Sequence, residues 1–337
     1  MRAFVLHGVT ELADARVQEV DDPQPGPGQV LVKLHAAALN HRDLYICQGR
    51  YAGLRYPIIP GSDGTGEVAA VGEGVTGAAV GSAVVINPSL EWGDDPRIQG
   101  PRWRILGLPD NGTLAEAVVV PADSIWPRPI GLSVEEAAAI PLAGLTAYRA
   151  VVTRGNLQRG ETVLVLGIGG GVATFALLIA RHLGARVLVT SGSDEKLRRA
   201  RELGAEDGFN YRTTDWVEAV RAATDGAGPD LIIDGTGGAT FDRALDAARP
   251  GGRVVTYGAT TGPAPELMVR RIFWKHLNVL GSTMGSPHDF AAMLALFGEG
   301  KPRPVVDRVF PLSQIGAALR HMDEAAQFGK IVLRVRE

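Results

Sequence analysis

The sequence predicts an α/β chain of two domains: a compact, mostly antiparallel β domain, and a domain built on a doubly wound parallel sheet. Three observations predict it. Before about residue 130, short apolar or alternating runs are separated by Pro/Gly turns, the pattern of antiparallel strands. After it, buried-type strands alternate with helical runs, the pattern of βαβ units. Between the first such strand and its helix lies a cluster of glycines. The 337 residues suffice for two domains and a large core, and 45% hydrophobic content with 21% charge is that of an ordinary globular protein.

In order along the chain, RAFVLHG, QVLVKLHAAALN, DGTGEVAAVGEGV, SAVVINP and GTLAEAVVVPADSIWPRP read as strands with their turns. Residues 88–112 form a long polar excursion containing Trp and Pro. Ser133 followed by Glu136 predicts a capping box that opens a helix in SVEEAAAIPLAGLTAYRAVV. The alternation then runs ETVLVLG (strand), VATFALLIARHLGA (helix), RVLVT (strand), DEKLRRARELGA (helix), DGFN (strand), WVEAVRAAT (helix), DLIIDGT (strand), TFDRALDAARPGG (helix) and RVVTYGA (strand). NVLGSTM, a helix at DFAAMLALFGEG and a closing strand–helix–strand complete the chain. The expected domains are 1–125 (mostly β), 126–300 (the doubly wound sheet) and 301–337 (a return to the first domain).

Composition narrows the function. A net charge of −3 argues against nucleic acid or an anionic membrane as partner. One cysteine, Cys47, allows neither an intramolecular disulfide nor a cysteine-based zinc cluster. MRAFVLHGV reads as a strand rather than a signal peptide, and the longest apolar run is broken by Arg181 and His182, so a cytoplasmic location is expected.

The glycine cluster is the main functional signal. Gly167, Gly169, Gly170 and Gly171, followed by Val172 and Ala173, sit after a strand and before a helix. Glycines permit the tight turn and let backbone N–H groups approach a pyrophosphate, whose charge the helix N-terminus favours. In an NAD-binding fold an acid for the ribose hydroxyls falls roughly 20 residues further on. Here that point is Ser191, in the stretch Thr190-Ser191-Gly192-Ser193. Asp194 and Glu195 read as first-turn acids of a helix capped by Ser193. Small hydroxyl residues leave room for a 2′-phosphate. Lys196 is either its partner or a solvated lysine in a basic helix face with Arg198, Arg199 and Arg201. The expected cofactor is NADPH.

PGPGQVLVKLHAAALNHRDLYICQGRY, YPIIPGSDGTGEVAAVGEGV, GTLAEAVVVPAD, EEAAAIPLAGLTAY, the glycine turn, LGAEDGFNYR and FGKIVL occur in this order over almost the whole chain. In these features the sequence resembles the medium-chain dehydrogenase/reductase superfamily, most of all its quinone oxidoreductase-like and zinc-type alcohol dehydrogenase-like members. The resemblance implies a GroES-like β domain, a Rossmann domain and a cleft between them. It also implies a catalytic zinc in many members, held by a cysteine at the Asn40 position, a His-Glu pair at Ser62-Asp63 and a further ligand near Leu142. Here only Asp63 is a competent ligand, and the loop that carries four structural cysteines in zinc members has none. No metal is expected; an improvised set of His41, Cys47 and Asp63 fits no common spacing.

Without a metal to polarise a simple carbonyl, hydride transfer to a quinone or to the β-carbon of an enone is the less demanding reaction, because conjugation spreads the charge onto an oxygen that hydrogen-bond donors stabilise. The resemblance assigns Asn40, Tyr45, Ser62, Asp63 and Thr146 to the catalytic set. Tyr45 is a hydrogen-bond or proton donor or only lines the pocket. Asp43 is a structural hydrogen-bonder. Lys196, Tyr211, Gly192 and Ser191 would serve the 2′-phosphate, and Gly235, Gly258, Ser282, Thr283 and Met284 the nicotinamide half. Lys330 would face the cofactor or cap a strand. The leading reading is a zinc-independent NADPH reductase of a small-molecule quinone or enone. A zinc-free alcohol or carbonyl dehydrogenase and a low-turnover NADPH-binding protein are the alternatives. The apolar segment LMVRRIFWKHLNVLGS is expected to pair two subunits into a homodimer.

Overall fold

The computed structural model describes residues 1–298, 300 and 302–336. Glu299, at the end of the expected helix DFAAMLALFGEG, and Lys301, at the expected domain boundary, lie outside them, as does Glu337. The chain divides into two compact units, Met1–Ala143 with Ser286–Glu337, and Gly144–Gly285.

The first unit is built on a seven-stranded sheet. Its order is Val306–Pro311, Lys330–Arg334, Gln29–Ala38, Asp63–Val71, Ala83–Ile86 and Ile125–Pro127, with Ala117–Pro121 also paired to Gln29–Ala38. All pairings are antiparallel except that between Val306–Pro311 and Lys330–Arg334. Gln29–Ala38 alternates as its sequence requires: Val30, Val32 and Leu34 enter a core shared with Phe4, Ile46, Ile86 and Leu333, while Lys33 faces out. The closing residues return to this sheet, since Val332 lies opposite Ala38.

The second unit holds a six-stranded sheet, all parallel, in the order Asp207–Asn210, Arg186–Ser191, Thr162–Val165, Leu231–Asp234, Arg253–Thr256, Asn278–Gly281. This is the doubly wound arrangement, with strand order reversing beside Thr162–Val165. The expected strand DGFN and the helices Gly171–His182, Asp194–Glu202, Trp216–Ala223 and Gly238–Ala247 are all present. At the sheet's far edge the helix Val269–Trp274 buries none of its residues, and Phe273 and Trp274 are 61% and 70% exposed.

The units divide at 143/144 and 285/286 rather than at 125/126 and 300/301. The reason lies in packing. Ser133 and Glu136 form the expected capping box at the start of Val134–Ala139. Ala138 and Ala139 of that helix then bury against Ala36, Ala38 and Val332 of the first sheet. The helix Pro287–Gly298 likewise belongs to the first unit, with Phe290 against the ring of Trp126 at 5.8 Å. Among the described residues no helix is long and apolar enough to cross a membrane.

Gly66 sets how closely Gln29–Ala38 and Asp63–Val71 approach: a Cβ there would stand 2.0 Å from the Lys33 carbonyl oxygen. Gly66→Ala should therefore force the two strands apart and destabilise the protein by about 1–3 kcal/mol or more, read as a lowered urea midpoint; an unchanged midpoint would contradict this packing.

Candidate functional site

Within the nucleotide unit the expected turn is built by conformations that only glycine adopts readily: φ is 68° at Gly167 and 127° at Gly169. Gly170 is the N-cap of Gly171–His182, in extended backbone, and no side chain caps that helix or places an acid in its first turn. Its leading N–H groups, including those of Gly171 and Val172, are thus available to a ligand anion. A Cβ at Gly170 would meet nothing within 4 Å. The turn is tied to the next strand: Gly167 N–H donates to Thr190 Oγ1 (3.1 Å) and Ile168 N–H to the Thr190 carbonyl (2.7 Å).

The tip of that strand carries Ser191, buried, with no acid beside it. Asp194 accepts from Asn210 Nδ2 (2.7 Å), and Glu195 is bound by Arg198. Ser193 caps their helix, as the sequence predicts. The Lys196 side chain folds back over the turn, so that a Cβ on Gly169 would lie 2.7 Å from its Cδ and 3.2 Å from its Nζ. Of the two readings of Lys196, this is the one directed at the turn. A Cβ on Gly192 would lie 2.7 Å from Tyr211 Oη and 2.8 Å from Arg212 Nε. Ser191, Gly192, Tyr211 and Arg212 therefore gather at the strand tip, while Lys196 lies over Gly169 of the turn. Arg212 is absent from the sequence reading. Its signal is the register: Ser191 lies opposite Asn210, so residues just past Asn210 arrive beside the Ser191 tip.

Gly235, Gly258, Ser282, Thr283 and Met284 follow the C-terminal ends of the next three strands, the ends at which doubly wound sheets bind ligands. The Tyr257 ring lies against Gly235, where a Cβ would be 2.4 Å from its Oη. Burial, and then the Asp234 carboxylate, push the Tyr257 phenol above its ordinary value. Asp234 Oδ1 accepts from Thr236 and Gly237, while Asp234 Oδ2 and Ser282 Oγ are buried without a protein partner. Thr146, expected in the catalytic set, lies in this unit and donates to Met284 Sδ at 3.8 Å. A glycine cradle, an uncapped helix N-terminus and a basic group at the strand tip fit a phosphorylated dinucleotide.

In the first unit a second polar cluster surrounds Asp63. Asn40 is the N-cap of His41–Cys47, and its backbone N–H donates to Asp43 Oδ2 (2.8 Å). The Asn40 amide donates to Asp63 Oδ2 (2.9 Å), and Leu142 N–H donates to Asp63 Oδ1 (2.7 Å). Lys330 Nζ donates to the Leu39 carbonyl (2.6 Å), Asn40 Oδ1 (2.8 Å) and Asp63 Oδ2 (2.9 Å). Lys330 is 3% exposed and Asp63 0%. Lys330, which the resemblance has facing the cofactor or capping a strand, directs its three donors to oxygens within this unit. Ser62 and Asp63 are similarly enclosed. Ser62 Oγ donates to the Leu106 carbonyl (2.7 Å) and accepts from Arg42 (2.6 Å), so both residues support the cluster from within. Tyr45 is half-buried, its ring flanked by His41 at 6.2 Å and by the Arg50 guanidinium at 5.1 Å.

These residues do not fit a catalytic zinc. An ammonium already lies against the single carboxylate, and amide, hydroxyl and backbone groups fill the other positions. Among the described residues no three His, Cys, Asp or Glu side chains are grouped to hold a metal ion. Burial, followed by the Asp43 charge, pushes the Cys47 thiol up to about 12. The 88–112 loop is ordered by other means: a T-shaped Trp92–Trp103 pair at 6.1 Å, Arg104 between Glu91 and Asp110, and Arg42 donating to the carbonyls of Leu106 and Leu108.

Sequence profiles of two families match: "Alcohol dehydrogenase GroES-like domain" over residues 26–130 and "Zinc-binding dehydrogenase" over 171–299. The chain is 36% identical over 336 residues to the zinc-type alcohol dehydrogenase-like protein YogA of Leptosphaeria maculans, covering 94% of this chain and 93% of the relative. It is 33% identical over 344 residues to the acryloyl-coenzyme A reductase of Metallosphaera sedula, covering 99% of each. Among solved structures, an NAD-dependent alcohol dehydrogenase superimposes with a TM-score of 0.94 at 42% identity over all of both chains. The 2-octenoyl-CoA carboxylase reductase CinF, in complex with NADP and 2-octenoyl-CoA, superimposes with a TM-score of 0.89 at 27% identity, covering 99% of this chain and 87% of CinF.

Asp43 gives this cluster a titration of its own. It is fully buried, and burial pushes its carboxyl from 3.8 up to about 6, against the opposing pull of Arg42. The fold thus holds the neutral acid better than the anion. Its contribution to stability is greatest below pH 3.8 and declines as pH rises toward about 6. Asp43→Asn should gain on the wild type across that window and keep a constant offset above it, measured by urea unfolding from pH 4 to 8; a pH-independent offset would rule this titration out.

Proposed function

The chain belongs to the medium-chain dehydrogenase/reductase superfamily of oxidoreductases, and from that premise we propose that it is a zinc-independent, NADPH-dependent reductase of quinones or α,β-unsaturated carbonyls. The observation that supports the reading is the set of groups at and beside the strand tip: Ser191 occupies the position at which an acid is expected in an NAD-binding fold, with Tyr211 and Arg212 against Gly192 and Lys196 over the turn. Bound NADPH supplies a hydride from its dihydronicotinamide. Gly167–Val172 and the helix N-terminus bind the pyrophosphate, and Lys196 and Arg212 pair with the 2′-phosphate while Tyr211 and Ser191 hydrogen-bond to it.

In the GroES-like unit, Asn40, 8% exposed and with one N–H left by its partners, and Tyr45, half-buried, are the donors that stabilise the charge developing on the acceptor oxygen. A conjugated acceptor suits such donors because its negative charge is delocalised. The acryloyl-coenzyme A reductase and the CinF complex with NADP and 2-octenoyl-CoA are relatives whose acceptors have this conjugation. The similarity to an NAD-dependent alcohol dehydrogenase favours a second reading, a zinc-free dehydrogenase of simple alcohols. The same proposal includes a homodimer. Among the described residues the edge strand Asn278–Gly281 pairs on one side only, and Leu267, Met268, Val269, Phe273 and Trp274, just before it in sequence, are exposed, a combination that a second copy would cover.

Two measurements test this. NADPH oxidation across quinones, enones, aldehydes and ketones should be fastest with quinones or enones and slower with NADH; faster NADP⁺-linked oxidation of simple alcohols would favour the second reading. Lys196→Ala and Arg212→Ala should each raise the KM for NADPH roughly 10- to 100-fold and leave that for NADH nearly unchanged; equal effects on both coenzymes would remove the 2′-phosphate role. Separately, sedimentation should give the mass of a dimer, and a monomer would argue against edge pairing.

A further inference from the structure

Lys330 reaches its position through the residue before it. At Gly329 φ is 110°, and a Cβ there would stand 2.4 Å from the Val305 carbonyl oxygen. Glycine lets the chain pass against Val305, and the Lys330 N–H then donates to that carbonyl (2.9 Å). The side chain enters the interior, where its ammonium meets three oxygens: the Leu39 carbonyl, Asn40 Oδ1 and Asp63 Oδ2. An ammonium has three donors and no acceptor, so this cage saturates it. Asn40 is held at both ends, its oxygen by Lys330 and its nitrogen by Asp63. The amide therefore has one orientation, and one N–H of Asn40 remains for a ligand.

We propose that Lys330 is the positioning residue of the acceptor site, a cation built into the chain that, by bridging Asn40 Oδ1 to Asp63 Oδ2 and the Leu39 carbonyl, holds the Asn40 amide where its free N–H meets the substrate. This rests on the reading above, in which Asn40 binds the acceptor. Without the ammonium, the Leu39 carbonyl, Asn40 Oδ1 and the Asp63 carboxylate face one another with no donor between them. Turning the amide over would only set its oxygen against Asp63 Oδ2, so the side chain relieves the contact by swinging away from the cage, which displaces its N–H from the acceptor. The hydrocarbon stem of Lys330 is secondary: what the site requires is a small cation with N–H donors inside the cage. Sodium and tetramethylammonium lack those donors, and tetramethylammonium is also too large.

The test uses Lys330→Ala, Lys330→Met and the double variant Lys330→Met/Asp63→Asn, each followed by kinetics, by NADPH titration and by thermal unfolding. Lys330→Ala should lower kcat roughly 10- to 100-fold, the range expected when a substrate-positioning group is misplaced, while NADPH binds as to the wild type. Ammonium or methylammonium should restore at least part of that kcat and raise the melting temperature, and equal concentrations of sodium or tetramethylammonium should do neither. The double variant, in which both charges are gone, should recover melting temperature relative to Lys330→Met but not kcat. Recovery of kcat in the double variant would make Lys330 merely structural and overturn the proposal. Weakened NADPH binding with unchanged kcat would return Lys330 to the cofactor and overturn it equally. If the wild type turned over no acceptor, the proposed function would fail and the positioning role with it, whereas ammonium-specific stabilisation of Lys330→Ala would still report the cage.

Discussion

The buried pair between Lys330 and Asp63 is the constraint on which the first unit's organisation depends. It joins four segments remote in sequence: residues 39–40, Asp63, Leu142 and the closing strand. A buried ion pair is a poor source of net stability, because desolvation offsets the attraction. Losing one partner is another matter, since it strands a charge at about 3–5 kcal/mol. The pair therefore acts on geometry. It admits one arrangement of Asn40 and Asp63, and through Leu142 N–H it fixes the start of the helix Pro141–Tyr148.

Around that pair the unit is held by side chains at places where zinc-type relatives would use metals. Arg42, 7% exposed, has Ser62 Oγ and two carbonyls of the 88–112 loop as acceptors, with the Tyr51 ring 5.0 Å from its guanidinium carbon. The tryptophan pair and the Arg104 ion pairs order the rest of the loop. Cations are present at both points, but they are guanidinium and ammonium groups. Such groups direct N–H donors at fixed angles and offer no open coordination position.

What the sequence made legible follows from the range of the forces involved. Strand and helix types, the Ser133 and Ser193 caps and the glycine turn are set by neighbours within a few residues, and each was readable. Lys196 was readable as one of two alternatives, because its helix face is basic but its direction depends on the turn. Arg212 was not readable, since its nearness to Gly192 arises from pairing between strands twenty residues apart. The partners of Lys330 were not readable for the same reason: they lie about 270 to 290 residues away, and the resemblance that pointed to Lys330 does not carry its contacts. The packing of Ala138 and Ala139 against Ala36, Ala38 and Val332, which keeps their helix in the first unit, joins segments about 100 to 190 residues apart and has no local sign in the sequence.

The two units also differ in how the ribosome delivers them. Residues 144–285 are one continuous stretch, made before the segment from Ser286 onward that closes the first unit. The first unit leaves the ribosome with Asp63 and Asn40 in place but without the ammonium that neutralises them, which arrives only with residue 330. Until then its sheet also lacks the strand Lys330–Arg334 beside Gln29–Ala38. Vectorial synthesis thus lets the unit of residues 144–285 fold first, while the sheet of the other unit is completed only when residues 330–334 join it.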